Sequence, residues 1–110
     1  MIGDMRPFLL LRAVPSDDIL EQFRRWFREV HLRDVERIPG MAEAQMGVAP
    51  GGVLFGVYTF ESAEVVQAAL ASPEAAYARG TWEQWAPHLS ELLIEMWAPL
   101  LPMPIFESIN

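Results

Sequence analysis

The sequence predicts an α+β fold in which two helices lie on one face of a four-stranded antiparallel sheet. Strand-like stretches stand at Phe8–Val14, Met41–Val48, Val53–Phe60 and Leu92–Trp97. An amphipathic helical stretch follows the first of them and a second follows the third. The resulting order, β-α-β-β-α-β, is the split βαβ or ferredoxin-like arrangement. A chain of 110 residues holds one modest core and is too short for two, so residues 1–110 are expected to form a single domain with an extended tail from about residue 99 to residue 110.

The run Phe8-Leu-Leu-Leu11 with Ala13-Val14 is apolar and closes at Pro15, as a buried strand does. Ser16 then stands where a helix N-cap is wanted, and Asp17 and Asp18 suit the positive end of a helix. Ile19, Phe23, Trp26 and Val30 follow at helical spacing, with Leu20, Phe27 and His31 as an adjacent row. Together they form a wide stripe for packing on a sheet. Arg24, Arg25 and Arg28 project away beside Glu21 and Glu29. The helix is expected to bend after His31 and to end by Ile38, because Pro39 disfavours a helical residue before it.

Met41 to Val48 alternates loosely, and Ala49-Pro-Gly-Gly52 signals a turn. Val53–Phe60 is rich in aromatic and β-branched residues, the composition of a strand. Glu61-Ser62 opens a second helix through Leu70, Ser72-Pro73 interrupts it, and Glu74–Arg79 continues it. Trp82-Glu-Gln-Trp85-Ala-Pro-His88 reads as a short helical or irregular cap. Pro99, Pro102 and Pro104 force an extended tail.

Several function classes are excluded or disfavoured by composition. All eight basic residues are arginine, and fifteen acids leave a net charge of −7. An acidic surface repels phosphate backbones, so nucleic acid is not an expected partner. The absence of cysteine removes disulfides, thiolate nucleophiles and Cys-type zinc sites. With two histidines and no His-x-His, His-x-x-x-His or spaced carboxylate pair, no metal site is expected. Apolar runs fall short of a membrane span, and Met1-Ile2-Gly3-Asp4 carries no signal pattern. A cytoplasmic location with no membrane partner is the expectation.

Phe8–Leu11 and Val53–Tyr58 are apolar on both faces, whereas a sheet with one wet face should alternate. A second copy packed sheet to sheet would cover the open face, so a homodimer is expected. The apolar tail segment Met103-Pro-Ile-Phe106 could clip onto that partner.

Four residues are candidates for chemistry. An unperturbed histidine titrates near neutrality, as a general acid or base requires, and His31 lies beside the apolar stripe. The competing reading is an ordinary helix-end histidine close to Glu29 or Asp34. His88, after Trp82, Trp85 and Pro87, could close a pocket mouth or cap the last strand. Tyr58 and Tyr77 could donate a phenolic proton or serve as amphipathic wall residues. Trp26, Phe27, Phe55, Trp82 and Trp85 offer walls for a flat hydrophobic ligand, and equally suit core or dimer packing.

The pattern Phe23-x-x-Trp26-x-x-x-x-His31-Leu-x-Asp34-Val35-x-x-Ile38-Pro39-Gly40 resembles EthD-type proteins of the dimeric α+β barrel superfamily. That resemblance implies a homodimeric barrel with a small-molecule pocket between the sheet and helices of each subunit. Relatives in the wider superfamily include muconolactone isomerases, polyketide cyclases, cofactor-free quinone-forming monooxygenases and haem-degrading oxygenases. His31 matches the histidine at the end of the first helix to which the methylmuconolactone isomerase branch assigns proton transfer. Two departures stand out. Ser72–Ala78 lacks the histidine that one cyclase branch and haem ligation need, and Met41–Met46 lacks the tyrosine of the isomerase branch.

The resemblance therefore implies a cofactor-independent enzyme that cyclises, isomerises or otherwise moves a proton on a small aromatic or polyketide-like molecule. A non-catalytic ligand-binding or accessory protein, and a cofactor-free monooxygenase, are the alternatives, because fold does not choose the chemistry.

Overall fold

The computed structural model of the protein describes residues 6–98. The proline-rich tail and the expected clip at Met103–Phe106 lie outside the described residues. Strands β1 (Phe8–Pro15), β2 (Met41–Val48), β3 (Leu54–Phe60) and β4 (Leu89–Trp97) form one sheet in the order β2-β3-β1-β4, with all neighbours antiparallel. This is the ferredoxin-like strand order, with β1 and β3 central. Among the described residues no helix is long and apolar enough to cross a membrane.

Alternation along the central strands assigns the faces. Leu11 and Ala13 of β1, with Leu54, Tyr58 and Phe60 of β3, are buried beneath the helices. The residues between them, Phe8, Leu10 and Val14 on β1 and Phe55 and Val57 on β3, are half-buried on the opposite face. There Phe8 stacks on Trp97 of β4 with ring centroids 6.3 Å apart, and Arg12 donates to Glu91 at 2.7 Å. On this face β1 and β3 are thus apolar except at Arg12 and Thr59, while Glu91 and Glu95 of β4 and Glu43 and Gln45 of β2 flank them.

The first helical segment is built from three pieces. A 3₁₀ turn, Asp17–Ile19, leads into α1 (Leu20–Trp26). The Ser16 side chain makes no capping bond; its backbone N–H instead donates to the His88 carbonyl at 2.9 Å. A widened turn, Phe27–His31, then joins α1 to α2 (Leu32–Glu36), with the Leu32 N–H donating to the Phe27 carbonyl five residues back. The expected irregularity is therefore present, but it spans Phe27–His31 rather than following His31.

The widened turn explains which row of the stripe is buried. In a plain α-helix each four-residue step drifts by about 40°, so Phe23, Phe27, His31 and Val35 would spiral off the sheet. A turn that closes over five residues absorbs the drift, and all four are buried. Val30, one residue out of phase with this row, is exposed. Only part of the stripe read from the sequence therefore packs inward.

The second helical segment has a break where Ser72-Pro73 stands. After α3 (Val66–Leu70), Ser72 caps α4 (Pro73–Gly80), accepting a hydrogen bond from the Ala75 N–H at 3.1 Å, with Pro73 at the first helical position. Two short 3₁₀ turns, Thr81–Gln84 and Ala86–His88, carry the chain into β4. Trp82 drops from the first of them into the core, where Phe23 touches Trp26, Phe27, Trp82 and Trp85.

Gly40 joins the first helical segment, after α2, to β2. It adopts φ +92°, and its carbonyl accepts from the Glu61 N–H at 2.8 Å. A Cβ here would stand 2.9 Å from Val65 Cγ2 and 3.0 Å from Val65 Cβ. Gly40→Ala is expected to destabilise the protein by about 2–3 kcal/mol, combining left-handed strain with a clash. Gly47→Ala, on a strand where nothing lies within 4 Å of the added carbon, is expected to change stability by less than about 1 kcal/mol. Urea unfolding of the two variants measures both.

Candidate functional site

A cavity of about 300 Å³ lies between the sheet and the helices. β1 supplies Leu9 and Leu11, and β4 supplies Leu92 and Ile94. Val35 and Ile38 border it from the end of the first helical run. From the second come Leu70, Ala75, Ala78 and Arg79, and Trp82 and Met41 complete the wall. The two alanines on α4 face inward where larger residues would fill the space. The volume lies at the lower end of the range typical of small-molecule sites, roughly 300–1,000 Å³.

Apart from Arg79, polar side chains among the described residues enter this apolar space at one point. His31, 2% exposed, and Tyr58, equally buried in the core, both line the cavity. His31 Nε2 and the Tyr58 hydroxyl share a hydrogen bond of 2.6 Å. The two side chains come from different layers, His31 from the widened turn and Tyr58 from β3, where it pairs with Leu9 and Ala44. His31 is fixed on its other sides by rings. Trp26 stacks on it at 5.2 Å, while Phe27 and Trp82 meet it edge-on at 4.8 and 4.9 Å.

Gly56 gives the tyrosine its reach. Strand alternation puts residues 56 and 58 on the same face, and the Tyr58 ring folds back across the bare backbone of Gly56. A Cβ at 56 would lie 2.7 Å from Cε1 and Cζ of that ring, and closer still to its oxygen. A side chain there would displace the phenol from His31.

Burial sets the charge state of both groups. Removal from water lowers the His31 imidazole to about 4 and holds the Tyr58 phenol well above its ordinary range. Near neutral pH both are therefore uncharged. His31 Nδ1 is also buried and has no hydrogen-bond partner among the described residues. With hydrogen on Nε2, the imidazole donates to the phenol, leaving the tyrosine O–H as a free donor and Nδ1 as a free acceptor. With hydrogen on Nδ1, the phenol donates to Nε2 and Nδ1–H is the free donor. A proton can pass along this pair without either group becoming charged beforehand.

The other residues singled out from the sequence are placed elsewhere. Trp26 and Phe27 touch His31 from behind but do not border the cavity. Trp85 packs on Phe23 and Trp26, outside the cavity wall. Phe55 lies on the opposite face of the sheet from Tyr58. His88 is exposed at the start of β4. Tyr77 is 62% exposed and borders a separate surface groove with Asp34, Arg37 and Glu74. Of the nine candidates the structure brings His31, Tyr58 and Trp82 together at one cavity. Arg79, Ala75 and Ala78, which also border it, carry no sequence signal beyond their helical period, and only the position of α4 over β1 and β4 shows their role. Among the described residues no group of three or more His, Cys, Asp or Glu is placed to hold a metal ion.

No protein-family model matches the chain, and no curated protein matches it. Solved structures do. A candidate antibiotic biosynthesis monooxygenase from Nitrosomonas europaea superposes with a TM-score of 0.63 at 15% identity, over 87% of this chain and 91% of the other. A second candidate antibiotic biosynthesis monooxygenase, from Deinococcus radiodurans, gives 0.65 at 10% identity over 88% and 95%. An ethyl tert-butyl ether D (EthD) family protein from Bacillus halodurans gives 0.61 at 16% identity over 81% and 96%. The chain thus shares the ferredoxin-like α+β fold of these structures. This is the fold that the Phe23–Gly40 pattern implies, and at these identities the likeness speaks for the fold alone.

The buried imidazole ties stability to pH. Its native value of about 4 lies below the unfolded value of 6.5, so between these limits the unfolded chain binds more protons than the native one. Stability therefore falls as pH drops from about 6.5 to about 4, by roughly 3 kcal/mol from this group. His31→Gln removes the titrating group and is expected to flatten the curve in that window. Urea midpoints of both proteins across the range measure the difference, and the proposed origin fails if the two slopes coincide.

Proposed function

We propose that the protein is a cofactor-independent enzyme that transfers a proton on a small, largely apolar molecule held in this cavity. The observation that carries the reading is the uncharged His31–Tyr58 pair at the wall of an otherwise apolar pocket. A buried polar pair satisfied through a single mutual bond is costly to keep unless its remaining donor and acceptor have a use. Perturbed titratable groups in a cleft are also the usual mark of a reacting site.

The chemistry follows from the two neutral groups. An aromatic, enolic or polyketide-like molecule enters with a carbonyl or hydroxyl towards the pair. In the Nδ1–H form Tyr58 donates its O–H to His31 Nε2, so as the phenol oxygen takes a proton from an acidified carbon or hydroxyl of the substrate, its own proton passes to the imidazole. The electrons left behind move towards the substrate's carbonyl oxygen, and the proton returns by the same path. Returning the proton to a different atom isomerises the molecule, and attack of the resulting enol on a carbonyl within it closes a ring. An imidazole of low basicity removes only fairly acidic protons, which fits activated, conjugated substrates. The dry wall strengthens each hydrogen bond to the developing charge.

The names of the solved structures favour a second reading, in which the same base deprotonates a phenol-like substrate whose electrons then pass to molecular oxygen. Oxygen uptake with a candidate hydroquinone distinguishes the two. Binding without turnover would instead indicate a ligand carrier or accessory protein.

We also propose that two copies pack through the open sheet face, with the Phe8–Trp97 stack and its apolar neighbours in the interface. A two-fold axis sets the same strip against itself. Light scattering after size exclusion is expected to give twice the chain mass at micromolar concentration.

Substitution tests the catalytic role. His31→Gln is expected to lower turnover by a factor of about 10²–10⁴ while ligand affinity stays within a few-fold. Gly56→Ala, which keeps both reacting residues but displaces the Tyr58 phenol from His31, is expected to lower turnover by a smaller factor. Equal loss of affinity and turnover in His31→Gln would mark the histidine as a binding or structural residue.

A further inference from the structure

The cavity has two ends of different character. His31 and Tyr58, both buried, mark its inner end. Leu92, Ile94 and Arg79, all exposed, mark the mouth between β4 and the C-terminal turn of α4. Charge is distributed unevenly around this space. The chain carries fifteen acids against eight arginines, yet among the described residues none that borders the cavity is Asp or Glu, and Arg79 is the single charged side chain there.

Arg79 is also chemically available. One guanidinium nitrogen donates to the Leu70 carbonyl at 3.1 Å, which ties the side chain to the corner between α3 and α4. Among the described residues it forms no ion pair, unlike Arg12, Arg24, Arg28 and Arg37. An arginine has five N–H donors in a planar fork, so most of its capacity remains. Anchored at one nitrogen and open at the others, it is shaped to receive a carboxylate.

We infer that the ligand is an amphipathic monoanion: a flat apolar body with a neutral hydrogen-bonding oxygen at one end and a carboxylate at the other. The oxygen meets His31 and Tyr58, the body fills the apolar middle, and the carboxylate rests on Arg79 at the mouth. The orientation follows from desolvation. Placing the charge at the inner end would bury it beside two neutral groups, whereas the mouth leaves it partly hydrated and paired. In a protein of net charge −7, long-range repulsion works against any anion, so a local cation and an acid-free wall are what make anion binding feasible. Arg79 thereby acts as a specificity-determining residue. This inference rests on the reading that the cavity is the ligand site.

The test uses two probes of the same shape on the whole protein: a naphthoate with a hydroxyl at the far end of its ring system, and the matching neutral carboxamide. Quenching of tryptophan fluorescence, with Trp82 in the cavity wall, follows binding. The wild-type protein is expected to prefer the carboxylate by roughly tenfold, with the preference shrinking as salt rises. Arg79→Gln should abolish the preference while carboxamide affinity holds, and Arg79→Lys should retain part of it. Because Arg79 is exposed and the readout is a ratio on one folded protein, a small change in stability does not imitate the effect. Equal binding of the two probes to the wild type, or an unchanged ratio in Arg79→Gln, overturns the inference and leaves the cavity reading standing. Failure of both probes to bind overturns both.

Discussion

A neutral histidine held against a neutral tyrosine in an apolar interior is the arrangement on which the rest of the structure turns. Two polar groups share one bond of 2.6 Å, and neither reaches water. Such a pair survives only if surrounding residues fix it, and here almost every nearby element contributes. The widened turn aims His31 inward, Gly56 lets Tyr58 lie across β3, and Trp26, Phe27 and Trp82 close around the imidazole. Removing one partner would leave the other as a buried unsatisfied group, with a cost of about 1–3 kcal/mol. Core packing and site geometry are therefore set by the same contacts.

The aromatic residues divide their work accordingly. Phe23 sits at the centre of a ring cluster with Trp26, Phe27, Trp82 and Trp85, and that cluster connects the first helical run to the 3₁₀ cap after α4. Only Trp82 both joins the cluster and faces the cavity. Much of the aromatic surface visible in the sequence is thus scaffold. The cavity itself is walled mainly by aliphatic side chains and shaped by Ala75 and Ala78.

The element order was legible because strand alternation, the Ser72-Pro73 break and the Pro39-Gly40 stop are local signals, and each acts where expected. His31 was legible as a candidate because a histidine on an apolar stripe is chemically conspicuous. Its depth was not. The helical period places Val30 and His31 on adjacent rows, and only the non-α turn, which depends on tertiary packing, chooses the row that faces the sheet. Tyr58 looked like a wall residue because its partner lies 27 positions away in the chain. Phe55 and Tyr58 belong to one apolar strand whose alternation sends them to opposite faces, and only packing of the helices on the sheet decides which face is the core. Arg79 and the inward alanines were invisible for a related reason: the shape of a cavity depends on which helix crosses which strand.

The turn over Phe27–His31 also governs how this chain can change in length. A wide turn is equivalent to one extra residue threaded into an α-helix. Deleting any one of Arg28, Glu29 or Val30 would restore regular helical bonding and improve the local backbone. Because the wide turn absorbs that residue, Leu32, Val35 and Ile38 would stay in phase with α1, whereas a deletion in the regular helix on either side would rotate everything after it by about 100°. Length is therefore constrained least at the turn itself and most in the regular helix on either side of it.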